Sequence, residues 1–213
     1  MDMIEAVRNR RSIRSFKPDP VPKYVLEQLI EISRWSPSGS NSQPWEFTVL
    51  GGRALEKVKA RLLVDMKNSK AHPDIPYPPM PEPYRSRQRA LLAAQTEHRK
   101  PGETPDSSAG GRFFGAPNAI IVSVDKEISP RAFMGLGMVA QTIALAALNF
   151  GLGTCIMSMV TYWPEVYRES FGITDSKIIA FGIAIGYPEL EASVNGFPRT
   201  REPLENFVRW YGV

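Results

Sequence analysis

RNRRSIRSFKPDP, residues 8–20, carries Arg8, Arg10, Arg11, Arg14 and Lys17 within ten residues and then meets Pro18 and Pro20. The preceding MIEAVRNR sets Ile4 and Val7 among polar residues, the pattern of a short amphipathic helix. On a helix exit Arg10 and Arg14 share a face at i, i+4, with Ser12 between them. Like charges so placed repel by about 0.2–0.5 kcal/mol per pair when no counter-ion is present. The cluster is therefore either a solvated basic face or a clamp for an anion, since guanidinium groups pair with phosphate through two hydrogen bonds. A second cationic pair, Arg199 and Arg201 in FPRTRE, favours the clamp, because both chain ends then converge on one group.

Working outward, the chain reads as alternating helices and strands in irregular order. KYVLEQLIEISRWS repeats apolar residues at helical spacing up to Pro37, and SPSGSNSQP is a loop by composition. WEFTVL alternates Trp45, Phe47 and Val49 as a strand does, and ALEKVKARLLVDM is a helix. NAIIVSVD reads as a buried strand, 131–150 as a central helix, and TCIMSMV as a strand or turn. WPEVYRESFG is helical to Gly172, KIIAFGIAIGYP is the last core strand, and 189–213 is an arm. This order predicts a single α+β domain over 1–213, not a doubly wound sheet. Residues 69–112 stand apart. HPDIPYPPMPEPY holds six prolines in thirteen residues, so the segment is a lid-like insert or a disordered excursion around a helix, RSRQRALLAAQTEHR.

The totals exclude several classes. At 213 residues, 43% hydrophobic and 23% charged, the chain has an ordinary globular balance. Its net charge of +4 suits small anionic ligands, but no basic stripe is long enough to follow a nucleic-acid backbone. One cysteine and two histidines leave no disulfide framework and no metal set. FMGLGMVAQTIALAALNFGLG, 133–153, has the length of a membrane span, yet Gln141, Thr142 and Asn149 make it a buried helix of a soluble, cytoplasmic protein. GxGxxG after a strand and GxxxxGK[ST] do not occur, so the common nucleotide loops are missing. Cys155 reads as a buried inert thiol, His72 and His98 as surface residues, and Met134, Met138, Met157 and Met159 mostly as packing. Tyr77, Tyr84, Phe113 and Phe114 either line a ligand site or pack the insert down, and Arg85, Arg87 and Arg89 add further cations to that segment.

RRSIRSF, SPSGSNSQPWEF, the Ala/Gly-rich central helix, GLGTC, IAIGYP and RTR occur here in an order and spacing that strongly resembles the nitroreductase family of flavoproteins. The resemblance spans most of the chain and is weakest in the insert. It implies a mixed central sheet flanked by helices, in an intertwined homodimer with an extended C-terminal arm and FMN at the subunit interface. It further implies that Arg10, Arg11, Ser12 and Arg14, with Arg199 and Arg201, hold the FMN phosphate and the pyrimidine edge. Pro37, Ser38, Gly39, Ser40 and Asn41 resemble the loop supplied by the other subunit. Ser158 and Met159 fall where a backbone N–H meets flavin N5, although the family often has Glu-Gly there, and Asn68 is a candidate ribityl contact. The activity implied is ping-pong transfer from NADH or NADPH through the flavin to nitroaromatic, quinone or related acceptors, with no catalytic side chain. Reductive dehalogenation, flavin modification, or flavin binding without turnover are the alternatives.

Overall fold

A computed structural model describes residues 2–213. Four strands form one sheet in the order β1-β2-β4-β3: β1 Glu46–Gly51, β2 Asn118–Asp125, β3 Gly153–Met157 and β4 Lys177–Gly186. Every pairing between these strands is antiparallel; the parallel component is a bridge from Ser12 to Thr154 on the outer edge of β3. The α+β class expected from the sequence is the one observed.

The reason for this arrangement is visible in β2. Its β-branched run suits a pleated surface, and its side chains alternate between two cores. Ile120, Val122 and Val124 face Leu136, Val139 and Ile143 of helix α5 (Phe133–Asn149). Ala119 and Ile121 face Leu55, Val58 and Leu62 of α3 (Gly52–Asn68). With helices on both faces, every residue of β2 before its last, Asp125, is buried. α2 (Lys23–Ser33) lies beside α5 and buries Val25, Leu26 and Leu29 in a third cluster with Leu152 and Ile185. α6 (Glu165–Phe171) closes the lower core with Val166 and Tyr167 and stops at Gly172, whose φ of 66° is the left-handed cap glycine tolerates.

The N-terminal helix α1 (Met3–Asn9) ends before the arginine cluster. Residues 12–17 are extended along the sheet edge instead: Ile13 N–H donates to Thr154 O at 2.9 Å, Lys17 N–H to Tyr187 O at 2.9 Å, and Glu189 N–H to Ser15 O at 3.0 Å. The expectation that Arg10 and Arg14 share a helical face is thereby corrected. In extended chain, neighbours alternate, so Ile13 buries (5% exposed) while Ser12 and Arg14 turn outward together. The close approach needs Gly153, where an added Cβ would stand 2.5 Å from Ile13 Cγ1.

The insert is ordered around helix α4 (Glu82–Glu97), which buries none of its residues. Its entry leg is fixed by Asp74, whose carboxylate meets Arg168 at 2.8 Å and accepts from the Ile179 N–H at 2.8 Å. Arg168 also donates to Lys177 O, so one ion pair joins the insert to α6 and β4. Its exit leg is tied to the chain after β4: Lys100 Nζ donates to Glu191 O, and Glu103 accepts from the Ser193 hydroxyl. The short helix α7 (Ser193–Gly196) ends there, and the last residues, from Leu204, are largely exposed.

Removing Asp74 takes from Arg168 its least exposed partner and leaves the Ile179 N–H without its acceptor. Asp74→Ala is expected to cost about 2–3 kcal/mol, lowering the melting temperature by about 5–10 °C in calorimetry. Cleavage within 69–81 by trace protease should become faster.

Candidate functional site

The two ends of the chain meet. Arg10, Arg11, Ser12 and Arg14 line a cavity of about 450 Å³ together with Arg199, Thr200 and Arg201 from the tail. Asn195, only 4% exposed, accepts from the Arg14 N–H at 2.7 Å and donates to Ser15 O and Glu189 O, both at 2.8 Å. Arg11 donates to Phe197 O at 2.6 Å and lies 5.4 Å from the centre of the Phe197 ring. Arg199 donates to Arg8 O at 2.6 Å and to Arg10 O. Arg201, by contrast, reaches only the Thr200 carbonyl, at 2.7 Å.

Six guanidinium groups border this cavity, Arg87 of α4 being the sixth, against a single carboxylate, Glu202, 3.5 Å from Arg87. The crowding is electrostatically unfavourable. Burial, then Arg199 and Arg201, push Arg10 below its ordinary pKa, and burial, Arg199 and Arg14 do the same to Arg11. The Arg11 Nε is buried with no hydrogen-bond partner. An anion in the cavity would relieve all three conditions, and a phosphate suits forked donors best.

Other expected site residues lie elsewhere. Pro37, Ser38, Gly39, Ser40 and Asn41 form a loop against the start of α5, where a Cβ on Gly135 would meet Ser38 Cβ at 3.4 Å. Ser40, Asn41 and Gln43 have φ of 51°, 55° and 44°, and Gln43 N–H donates to Ser38 Oγ at 2.9 Å. Three non-glycine residues in the left-handed region mark a strained loop, which persists only where its surroundings hold it. Within one chain it does not line the arginine cavity. Ser158 is exposed where the chain leaves β3, and Met159 packs partly against the core, neither lining that cavity. Asn68, at the end of α3, is exposed and also outside it.

The four aromatics divide. Phe113 is fully buried in the core, so its assignment to a ligand site is corrected: it roots the end of the insert. Phe114 lines a second cavity, Tyr77 packs 5.4 Å from Tyr162 beside a third, and Tyr84 lies exposed under Arg87 at 5.7 Å. Arg85 and Arg89 both pair with Glu82 on the exposed face of α4, while Arg87 lines the arginine cavity. Cys155 is buried, and burial pushes its thiol up, in keeping with an inert side chain. Asn195 and Phe197 were not legible beforehand, although Asn195 sits only four residues before Arg199 and is the sole polar residue of the tail to be buried.

An antiparallel sheet edged by the chain's own N-terminus, with a cationic cavity where the two ends of the chain meet, defines an α+β protein with a built anion-type site. The sequence profile of the Nitroreductase family matches residues 7–187. The chain belongs to the nitroreductase family. It is 28% identical over 218 residues to a 4-nitrobenzoate reductase of Pseudomonas putida, covering 99% of this chain and 96% of the relative. Its fold superimposes on a crystal structure of the FMN and NADPH-dependent nitroreductase NfnB from Sphigopyxis sp. strain HMH with a TM-score of 0.93 at 28% identity, covering 100% of each chain. NfnB from Mycobacterium smegmatis in complex with NADPH gives 0.90 at 24% identity, over 98% and 97% of the chains, a likeness of fold.

The cavity's excess charge has a measurable consequence. Phosphate at the ionic strength of a chloride control should raise the melting temperature of flavin-free protein. At a few times its dissociation constant the shift should be about 2–4 °C. No difference between the two salts would mean that the cations are held apart rather than waiting for an anion.

Proposed function

We propose that this protein is an FMN-dependent NAD(P)H oxidoreductase that reduces nitro groups on aromatic acceptors. The observation that carries the reading is the cavity of six arginines and one carboxylate, five of the arginines coming from the two chain ends and Arg87 from α4. Membership of the family supports it, as do the names of the relatives that match over nearly the whole chain. Bound FMN supplies two-electron transfer, so that R–NO2, NAD(P)H and H⁺ become R–NO, NAD(P)⁺ and water.

Arg10, Arg11, Ser12, Arg199 and Arg201 hold the phosphate of the cofactor, and Arg14 places positive charge where negative charge gathers on reduction. The backbone ties of Arg11, Arg14 and Arg199 fix these groups before the cofactor arrives, which limits the ordering cost of binding. Backbone at Ser158 and Met159, on the turn out of β3, is the donor toward the reacting edge. The working unit is a homodimer in the cytoplasm. Exposed apolar residues of α1 (Met3, Ile4, Val7), of α5 (Met134, Met138) and of the tail (Trp210, Tyr211) are its contact surfaces. The strained loop 37–41 of one protomer then completes the cofactor site of the other.

Two measurements test this. Purified protein should be yellow, bleach anaerobically with NADH or NADPH, and recover on addition of nitrobenzene. A protein that cannot be reconstituted with FMN would overturn the reading, and one that keeps flavin but never bleaches would make it a flavin carrier. Separately, Arg201→Ala should weaken FMN binding about tenfold to a hundredfold while the melting temperature of flavin-free protein stays unchanged. Arg199→Ala should lower both, since Arg199 also binds the Arg8 and Arg10 carbonyls.

A further inference from the structure

Beneath the turn that leaves β3 lies Tyr167 of α6, 0% exposed, whose hydroxyl donates to Val160 O at 2.9 Å. Burial pushes this phenol well above its ordinary pKa, so it stays protonated and donates at neutral pH. Thr161, 2% exposed, gives both its N–H, at 2.9 Å, and its hydroxyl, at 2.7 Å, to Ser158 O. Val160 fits between them because Gly182 of β4 has no side chain: a Cβ there would stand 2.6 Å from Val160 Cγ2. Arg168, the residue after Tyr167, is tied to Asp74 and to Lys177 O, so the platform under the turn is itself held.

Taken singly, these bonds satisfy buried polar groups, as any core requires. In series they do more. A trans peptide is planar, and its C=O and N–H point opposite ways. Val160 O and the Thr161 N–H are the two ends of one peptide, and Ser158 O and the Met159 N–H are the two ends of another. The bond to Val160 O therefore aims the Thr161 N–H at Ser158 O. The bonds to Ser158 O in turn aim the Met159 N–H away from Thr161. Each donor that draws on a carbonyl oxygen also makes the N–H at the far end of that peptide a stronger donor, which is how hydrogen bonds in series reinforce one another. One directed chain thus runs from the Tyr167 hydroxyl through two peptides to the Met159 N–H.

We propose that Tyr167 and Thr161 are positioning residues for the cofactor: through the Val160–Thr161 and Ser158–Met159 peptides they orient and strengthen the Met159 N–H that meets N5 of the flavin. The inference rests on the reading of the protein as an FMN-dependent reductase with this turn at the reacting edge, and it names what tunes the cofactor there. An N–H aimed at N5 finds an acceptor in the oxidised flavin. On reduction NAD(P)H gives a hydride to N5 and departs as NAD(P)⁺, and the same position then carries hydrogen and accepts no longer. The chain of bonds accordingly favours the oxidised form, and cutting it makes the flavin easier to reduce.

Tyr167→Phe and Thr161→Val each remove one hydroxyl with little change of volume, whereas Thr161→Ser keeps the hydroxyl. The first measurement uses flavin-free protein. The amide resonance of Met159 in heteronuclear NMR should move upfield in Tyr167→Phe and in Thr161→Val, and return toward its wild-type position in Thr161→Ser. The second uses FMN-loaded protein equilibrated with a redox dye. At a fixed ambient potential the ratio of reduced to oxidised flavin should rise about threefold in Tyr167→Phe and in Thr161→Val, and stay at the wild-type value in Thr161→Ser. FMN affinity should hold to within about twofold, because the arginines at the chain ends are untouched.

A hydroxyl with a merely structural role would lower the melting temperature and leave the flavin ratio where it was, and that result overturns the proposal. So does a Met159 resonance that moves while the ratio stays fixed, since the chain of bonds would then stop short of the cofactor. A wild-type protein that takes up no FMN sinks the reductase reading instead, a failure seen before any variant is made.

Discussion

The constraint on which the structure turns is like-charge crowding at the junction of the chain ends. Arg10 and Arg11 are held close to Arg199, and both are depressed below the ordinary arginine range by burial and by their neighbours. Without an anion such a cluster disperses unless its members are tied down in another way. Here the ties are main-chain carbonyls: Arg8 O and Arg10 O for Arg199, and Phe197 O for Arg11. Each carbonyl belongs to the opposite end of the chain, so the bonds that hold the cations together also hold the termini together. Asn195 adds a third tie at the backbone of Arg14 and Ser15. The fold supplies the foundation, because Ile13 sits on β3 through a contact that only a glycine at 153 permits. Sheet, termini and cavity are thus one mechanical unit.

What was legible in the sequence follows from how local each feature is. The helices and strands carry their own periodicity, so KYVLEQLIEISRWS, WEFTVL, NAIIVSVD, the helix over 131–150 and KIIAFGIAIGYP could be placed from spacing, and the structure sets the elements at 23–33, 46–51, 118–125, 133–149 and 177–186. The arginines were legible as a cluster because they are neighbours in the chain. Their geometry was not. Periodicity in MIEAVRNR suggested a helical face, but the edge hydrogen bonds offered by Thr154 and Tyr187, more than a hundred residues away, draw 12–17 into extended chain. The pairing of Asp74 with Arg168 and the role of Asn195 depend on partners equally distant, and single polar residues carry no pattern that marks them. Phe113 shows the converse. An aromatic in a Pro- and Gly-rich segment reads as mobile, whereas burial of its ring is what orders the segment's end.

The insert is held at two points of different character. Its entry leg rests on a nearly dry ion pair with two additional backbone bonds, a contact that is costly to break once formed. Its exit leg rests on exposed polar ties from Lys100 and Glu103, which water competes for. Beyond those ties Phe113 is buried in the core and anchors the segment's end. Between the two anchors α4 buries nothing and reaches the arginine cavity only through Arg87 and Leu91, and opening motions draw on the parts with the fewest buried contacts.

The arginines at the chain ends are held by bonds to main-chain carbonyls beside the sheet edge. The wall of the second cavity comes largely from the insert, whose side chains are mostly exposed. Change in the insert alters what the second cavity accepts without touching Asn195, Phe197 or the carbonyls that hold the arginines. Arg14 is the exception, because it lines both cavities and its backbone is fixed by Asn195. Its position couples the two: anions in both cavities would share one guanidinium and repel each other, so filling one weakens the hold of the other. The coupling is reciprocal by thermodynamic necessity.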